Sequence, residues 1–384
     1  MLYYLAQAIL DAAQGTEWEE TVSWMRLFRY ISFRAGGALL TALAFSIWLG
    51  PYFIAWLKEL KFGQDYSDKA EEIGDLKTRL LSKKGTPTMG GVMIVLVLDI
   101  TAMLWAQWNT QVQLTMLSVL VLAGLGFHDD WAKVTKQNNI GITGGLKLAI
   151  QFLLAGFVAW YLYELPATQR VVSEVMVPFY KHPVLVGTWG LVVGGILTVL
   201  CIVGSSNAVN LTDGLDGLAI GCTIIVCLVF AVLTYVAGNV KIAGYLEIPY
   251  IAGAGELTVF CAAMVGAGVG FLWFNCHPAK LFMGDTGSLA LGGVLGIIAV
   301  LIQQPLILAI AGGVFVMEAG SVLMQRAWFK WTRHRTGTGR RLFRMAPIHH
   351  HFEKLGWYES QVVTRFYILC VVCAVVALAT LKIR

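Results

Sequence analysis

Long apolar runs constrain this chain more than any other feature. About ten stretches approach the roughly 20 residues that a helix needs to cross a bilayer core of about 30 Å. Of the 384 residues, 57% are hydrophobic and 13% are charged, which excludes an ordinary soluble protein. We predict an all-α polytopic membrane protein that forms a single domain over residues 1–384. The predicted spans lie near residues 34–57, 88–106, 112–128, 145–164, 185–204, 217–237, 256–274, 288–303, 306–328 and 363–382.

Basic residues in the loops predict the orientation. The first loop carries Lys58, Lys61, Lys69, Lys77, Arg79, Lys83 and Lys84, and the ninth carries Arg333, Arg335, Arg340, Arg341, Arg344 and Lys354. The positive-inside rule places both loops in the cytoplasm and both termini outside, including an N-terminal segment 1–33 in which Met1 to Leu10 predicts an interfacial helix. Cytoplasmic loops are then predicted near 58–87, 129–144, 205–216, 275–287 and 329–362.

The cysteines indicate packing rather than redox or metal chemistry. All seven fall in or beside predicted spans. Cys370 and Cys373 fit the CxxC spacing, but they lie in an unbroken apolar run without a βαβ context. We therefore predict no disulfide and no zinc site.

Short polar clusters at the ends of apolar runs carry the chemical information. The first is His128-Asp129-Asp130-Trp131. Adjacent residues of a helix point about 100° apart. Both carboxylates can therefore serve one site only in two cases. Either the helix frays there, or one acid acts indirectly, by holding residues that contact the ligand. A solvated helix end is the plain alternative.

A second cluster runs from Asn210 to Gly217. Asp213 and Asp216 are three residues apart, so they share a helix face or a tight turn. Gly214 and Gly217 let the backbone approach a ligand closely. Two further acids thus stand at another span end.

A third cluster combines Asn275, Lys280, Phe282 and Asp285. Oxygen-rich ligation of this kind suits Mg²⁺, which favours one or two carboxylates together with substrate phosphates and water. Phe282 is either a packing residue or a platform for a planar base.

Two more segments predict anion binding. His349, His350 and His351 lie inside the basic ninth loop, where imidazole can pair with phosphate or orient a carboxylate. Lys84 and Thr88 belong to a Gly- and Thr-rich helix start that is typical of an anion site, although a Lys pair beside a membrane also binds lipid headgroups.

The charged residues Asp99, Glu318 and Arg34 fall within spans, and we expect them to pair inside the bundle or to snorkel. Gln325 follows Glu318 by two helical turns, so we expect it to line the site near the end of its span.

Every cluster lies on the side predicted to be cytoplasmic, which favours one metal-dependent active site at a membrane face. A transporter or flippase of an anionic lipid or nucleotide sugar also needs buried acids, but it predicts polar groups near the midplane. An intramembrane protease is a weaker alternative. The net charge of +5 is explained by the cytoplasmic loops, so nucleic-acid binding is not expected.

Together these segments resemble the phospho-N-acetylmuramoyl-pentapeptide transferase family, a branch of the polyprenyl-phosphate N-acetylhexosamine-1-phosphate transferase superfamily. The likeness runs from about Lys58 to the C-terminus, and the stretch Pro347 to Glu353 separates this branch from its sibling transferases. It implies ten helices, Mg²⁺ dependence, a homodimer in the lipid of a bacterial inner membrane, and transfer of phospho-MurNAc-pentapeptide from UDP-MurNAc-pentapeptide to undecaprenyl phosphate.

The resemblance also implies roles for individual residues. Asp129 and Asp130 match the family's acidic pair, Asp285 its metal-binding aspartate, and His349, His350 and His351 its histidine motif. Substrate contacts are implied or predicted at Lys84, Thr88, Lys133, Lys147, Asn210, Asp213, Asp216, Asn275, Phe282 and Gln325.

Two routes remain open, a covalent aspartyl-phosphate or direct displacement by the lipid phosphate, and we favour the second. We expect Asp285 to hold Mg²⁺, Asp129 to position or deprotonate the acceptor phosphate with support from Asp130, and His349 to contact the diphosphate. Phe282 and Asp216 would hold the uracil.

Overall fold

The computed structural model describes residues 1–60, 85–135 and 141–381. Within them the regular structure is helical, with isolated β-bridges between loops. The helices are α1 (Leu2–Ala13), α2 (Ile31–Glu59), α3 (Gly91–Trp105), α4 (Thr110–Thr135), α5 (Gly144–Glu164), α6 (Gln169–Ser173), α7 (Gly187–Thr212), α8 (Leu218–Ala237), α9 (Val240–Leu246), α10 (Gly255–Asn275), α11 (Gly284–Leu301), α12 (Pro305–Ala311), α13 (Gly313–Thr336), α14 (Ile348–Lys354) and α15 (Glu359–Ala379), and a 3₁₀ helix spans Ser23–Arg29.

The helices confirm an all-α polytopic membrane protein. Among the described residues, eight helices are long and apolar enough to cross a membrane, α12 and α13 form a ninth candidate that is sharply bent, and α3 is apolar but shorter. Each predicted span overlaps one of these elements, while ten crossings stays a prediction. The structure extends several helices beyond the apolar runs, so that α7 continues to Thr212 and α4 to Thr135. Polar side chains at these ends bond across the bundle, which lets the helix continue past its apolar stretch.

Two helices form the centre of the bundle. Nearly every residue of α10 and α11 is buried, and α11 packs against α4, α7 and α3. Polar bonds join this centre to its neighbours, because Gln151 donates to Ser206, which in turn donates to the backbone carbonyl of Leu289. Buried side-chain hydrogen bonds of this kind hold membrane helices in register.

Helices α4 and α11 are in close contact at one end of the bundle. A Cβ atom at Gly126 would overlap the backbone of Asp285, so glycine alone lets α4 lie directly against the start of α11. This contact brings the end of α4, with its two adjacent aspartates, to the first turn of α11.

The segment before α13 is broken. The axes of α12 and α13 differ by 85° across Gly312. The predicted span 306–328 therefore corresponds to two helices, a short one that turns sharply into a longer one, and not to one straight helix. The turn carries the polar half of α13, with Gln325, over the end of the bundle.

The N-terminal segment packs at the opposite end. Helix α1 lies beside the end of α3, where the terminal amine donates to the carbonyls of Met103 and Leu104. Arg34 is fully buried and donates to Glu256 at 2.6 Å, which confirms that this span-embedded charge pairs inside the bundle. The seven cysteines are all free.

Candidate active site

One end of the bundle carries a deep cleft of about 1090 Å³. It lies between the ends of α4, α7 and α10, the starts of α3 and α11, and the segment from α13 to α14. Twelve of the residues predicted from the sequence line it: Thr88, Asp130, Lys133, Asn210, Asp213, Asp216, Asn275, Phe282, Asp285, Gln325, His349 and His350. Segments far apart in the chain thus converge on one cavity.

Asp130 caps helix α11. Its two carboxylate oxygens accept the backbone N–H of Asp285 at 3.1 Å and that of Thr286 at 2.9 Å, and the Thr286 hydroxyl donates to it at 2.8 Å. The first N–H groups of a helix have no partner within the helix, and an acid there also meets the positive end of the helix dipole. Asp130 therefore fixes the place of Asp285.

Asp129 and Asp285 share two lysines. The Lys147 ammonium lies 2.8 Å from Asp129 and 2.7 Å from Asp285, and the Lys133 ammonium lies 2.6 Å and 3.0 Å from the same two carboxylates. Asp129 also accepts the backbone N–H of Ile142 at 2.8 Å. Helix α4 does not fray at its two acids. They divide the work instead, because Asp130 caps α11 and Asp129 holds the lysines.

The other oxygen of Asp285 is held from α7. The amide of Asn210 donates to it at 2.8 Å and also donates to Ser288 at 2.9 Å. Three helices therefore position one carboxylate that is still partly open to the cleft.

Asp213 follows the end of α7 and faces the same cleft. Burial, together with the negative charges of Asp285 and Asp130, raises the pKa of Asp213 to about 8, and a hydrogen bond from the Gly284 backbone opposes this shift. The carboxyl is therefore protonated at neutral pH when no cation is present.

Asp216 and Asn275 hold the loop before α11. Asp216 accepts the backbone N–H of Ala279 at 3.2 Å, and its carboxylate lies 3.0 Å from the His277 ring nitrogen. Asn275 accepts the N–H of Gly217 at 3.1 Å and donates to the carbonyl of Leu281 at 2.8 Å. Both side chains line the cleft while shaping its wall.

Phe282 and Thr88 lie in two loop segments that backbone hydrogen bonds join. The N–H of Phe282 donates to the carbonyl of Pro87 at 2.9 Å, and its carbonyl accepts the N–H of Gly90 at 2.8 Å. The hydroxyl of Thr88 is buried and makes no hydrogen bond within the described residues. A buried donor without a partner beside a cleft indicates a place for a ligand atom.

Gln325 makes hydrogen bonds to the backbone of the loop after α13. Its amide oxygen accepts the N–H groups of Leu342 and Phe343, and its amide nitrogen donates to the Phe343 carbonyl. Arg326 and Arg341 also line the cleft, as does Lys354. Sequence reasoning placed Arg341 and Lys354 in a basic loop without assigning them to the site. It gave no signal for Arg326, which directly follows Gln325 in α13.

The histidines divide into two inward residues and one that supports the loop. The Nδ1 of His349 lies 3.0 Å from Glu318, and the Nδ1 of His350 lies 2.8 Å from Glu353. Burial lowers the pKa of His350. His351 accepts the N–H of Arg344 and is not among the residues that line the cleft, so its substrate contact stays a prediction.

The contact between Glu318 and a histidine of the cleft was not revealed by the sequence. We expected pairing within the bundle, and the partner proves to be a histidine of the cleft. Asp129 and Lys147 lie behind the cleft wall, and Lys84 lies outside the described residues.

The acids at this end fit a magnesium ion in their chemistry. Oxygens of Asp129, Asp130 and Asp285 lie within 4.8 Å of one another. Carboxylates in a partly open cleft are the donors that Mg²⁺ prefers, and Asp285 is the one exposed toward the cavity.

Known families match this chain over its membrane core. Glycosyl transferase family 4 matches residues 112–303, and phospho-N-acetylmuramoyl-pentapeptide-transferase signature 1 matches residues 83–95. The phospho-N-acetylmuramoyl-pentapeptide-transferase of Methylacidiphilum infernorum is 47% identical over 361 residues, covering 94% of this chain and 96% of the relative. The transferase of the same name from Syntrophus aciditrophicus is 46% identical over 367 residues, covering 95% and 97%.

A polytopic helical bundle with acids and lysines at one end, matched by glycosyl transferase family 4, defines a transferase embedded in a membrane. The chain belongs to the phospho-N-acetylmuramoyl-pentapeptide-transferase family. This confirms the resemblance predicted from the sequence, and none of these matches supports a transporter.

Proposed function

We propose that this chain transfers phospho-MurNAc-pentapeptide from UDP-MurNAc-pentapeptide to undecaprenyl phosphate, releasing UMP and forming lipid I. The observation that carries the proposal is the placement of Asp285 at the first turn of α11, held by Asn210 and by two lysines inside a cleft at the end of a membrane bundle. A water-soluble donor and a lipid acceptor can meet only at such an interface.

Magnesium is the metal that we assign to this cleft. Asp285 would hold it, with Asp129 and Asp130 nearby. The ion would supply positive charge to phosphate oxygens on which negative charge accumulates.

The protein's own groups then bind and orient the substrates. Lys133 and the free hydroxyl of Thr88 would face phosphate oxygens, and Phe282 would stack on the uracil. Asp216 is engaged by the His277 ring and the Ala279 backbone, so it would meet the base while holding that loop.

Direct displacement by the lipid phosphate remains our preferred route. A phosphate monoester has its second pKa near 6, so the acceptor is mostly dianionic at neutral pH and needs little deprotonation. Asp129 is fully buried behind the cleft and engaged by both lysines. We therefore assign it the positioning role and not that of a base that removes the acceptor's proton.

Orientation and assembly complete the proposal. The basic loops support a cytoplasmic cleft in a bacterial inner membrane with both termini outside. A homodimer and Lys84 as a substrate contact follow from the family resemblance.

Replacing Asp285 with Asn tests the assignment. We expect UMP release from UDP-MurNAc-pentapeptide and a polyprenyl phosphate to cease, while the folded yield stays close to that of the wild type. Asp99→Asn is the matched control, because Asp99 is a buried carboxyl in α3 outside the cleft lining. Substantial Mg²⁺-dependent lipid I synthesis by the Asp285→Asn variant would refute the assignment.

A further inference from the structure

Glu318 and His349 form a completely buried pair at the rim of the cleft. Both residues are 0% exposed, and the Nδ1 of His349 lies 3.0 Å from a carboxylate oxygen of Glu318. Glu318 lies in α13 just beyond its bend, and His349 lies in the first turn of α14. The pair therefore joins two elements that the sequence separates by a long basic loop.

The other ring nitrogen of His349 has no partner. Its Nε2 is buried without a hydrogen bond among the described residues, and the residue lines the cleft. This nitrogen lies beside Gly214, where any Cβ would overlap it. Buried polar atoms in proteins are nearly always bonded, so a free one at a cleft marks the position of a ligand atom.

The charge of the Glu318–His349 pair determines which kind of ligand atom the Nε2 of His349 can bind. No Lys or Arg of the described residues lies within ion-pair distance of Glu318. A buried carboxylate without compensation is unfavourable, and His349 can supply the compensating charge when it carries a second ring proton. The imidazolium then donates Nδ1–H to Glu318 and presents Nε2–H to the cleft, which suits an anionic oxygen.

The neighbouring histidine does not duplicate this arrangement. His350 is partly exposed, and burial lowers its pKa, so its neutral form is favoured. A single charged imidazole beside a neutral one avoids repulsion between rings whose centroids are 4.1 Å apart.

We propose that Glu318 is a positioning residue for the donor's diphosphate: it holds His349 with Nε2–H directed at a phosphate oxygen. The inference rests on the proposed function, because the diphosphate is that of the proposed donor. The contact strengthens as negative charge grows on the departing UMP, so it acts mainly in the transition state.

The test measures kcat and KM for UDP-MurNAc-pentapeptide in Glu318→Gln, His349→Gln and the double variant. Glutamine keeps an oxygen near Nδ1 but removes the charge that stabilises the imidazolium. We expect Glu318→Gln to lower kcat about 10²-fold, with a change in KM of about threefold or less. The double variant should be no slower than His349→Gln alone, because the two side chains act as one unit.

Glu318→Asp keeps the charge on a shorter side chain and should recover part of the lost kcat. Glu256→Gln is the control for removing a buried, cation-paired carboxylate, since Glu256 bonds Arg34 far from the cleft lining. Its kcat per folded protein should equal that of the wild type.

Near-wild-type kcat in Glu318→Gln, or losses that multiply in the double variant, would overturn the inference. If Glu318→Gln does not fold, Glu318→Asp decides alone: reduced kcat at similar KM supports the pair, and unchanged kcat overturns it. An inactive wild type overturns the proposed function together with this inference, whereas an active wild type with an undiminished Glu318→Gln overturns the inference alone.

Discussion

The carboxylate of Asp130 accepts the backbone N–H of Asp285 at 3.1 Å, so one acid of the cleft holds the other at the start of its helix. The two belong to helices α4 and α11, which touch at Gly126. Adjacent acids in the sequence therefore have different tasks, and only one of them supports the first turn of α11.

Asp130→Ala should destabilise the protein and slow the reaction. It leaves the N–H groups of Asp285 and Thr286 without their acceptor, which costs about 0.5–2 kcal/mol. The Asp285 carboxylate also loses its fixed position, and such misplacement can lower kcat by about 10²-fold. Thermal unfolding and UMP release measure the two effects. Thr286→Val is the matched control, because it removes only the hydroxyl bond; an Asp130→Ala enzyme no worse than Thr286→Val would contradict the capping role.

Gly214→Ala should slow the enzyme strongly without unfolding it. The added methyl group would occupy the space of the His349 Nε2, and the buried ring has little room to move away. We expect kcat to fall about 10²-fold, as for the loss of one hydrogen-bond donor to a developing anion. Gly204→Ala in α7, where a Cβ meets open space, should leave kcat unchanged. Equal activity of the two variants would mean that His349 has no role at this position.

Lys147→Met should make the stability of the protein more dependent on Mg²⁺. Removing one ammonium leaves Asp129 and Asp285 less compensated, at a cost of about 1–3 kcal/mol. A divalent cation can replace that charge, so added Mg²⁺ should raise the unfolding temperature more for this variant than for the wild type. Lys181→Met removes an exposed ion pair with Glu247 and should change neither quantity appreciably. Identical Mg²⁺ responses in Lys147→Met and the wild type would speak against a metal at these acids.

Asp213 should make stability fall as pH rises. Its pKa is near 3.8 when unfolded and about 8 in the metal-free fold, so between these values the folded protein binds the extra proton. The contribution is fully present below pH 3.8 and is lost as pH rises through about 8. Asp213→Asn should therefore flatten the decline in unfolding temperature between pH 5 and 8, measured in EDTA. Asp11→Asn, which removes an exposed acid, should not flatten it. Unchanged slopes in both variants would rule out a protonated Asp213.

The helical fold and most of the cleft could be predicted because both leave local marks in the sequence. Hydrocarbon-length apolar runs specify spanning helices whatever their partners are. Acids, amides and histidines at the ends of these runs are costly unless they meet compensating groups, so their convergence could also be expected.

Pairings across the bundle left no such mark. The partner of Glu318 stands 31 residues away, beyond the rest of α13 and the basic loop, and no local pattern reports that distance. The break at Gly312 has no counterpart in the apolar run 306–328, which continues through it. Asp129 and Asp130 look equivalent in the sequence, and only the position of α11 assigns the cap to one and the lysines to the other.

Lys133 and Lys147 compensate the negative charge of the cleft aspartates while the site holds no ligand. A newly inserted chain meets lipid before it meets nucleotide, and bare aspartates beside hydrocarbon would be poorly tolerated. Both ammonium groups lie between Asp129 and Asp285, so the packed helices balance these charges before any ligand is bound. Ions and substrates can then bind to a site whose side chains are already in position.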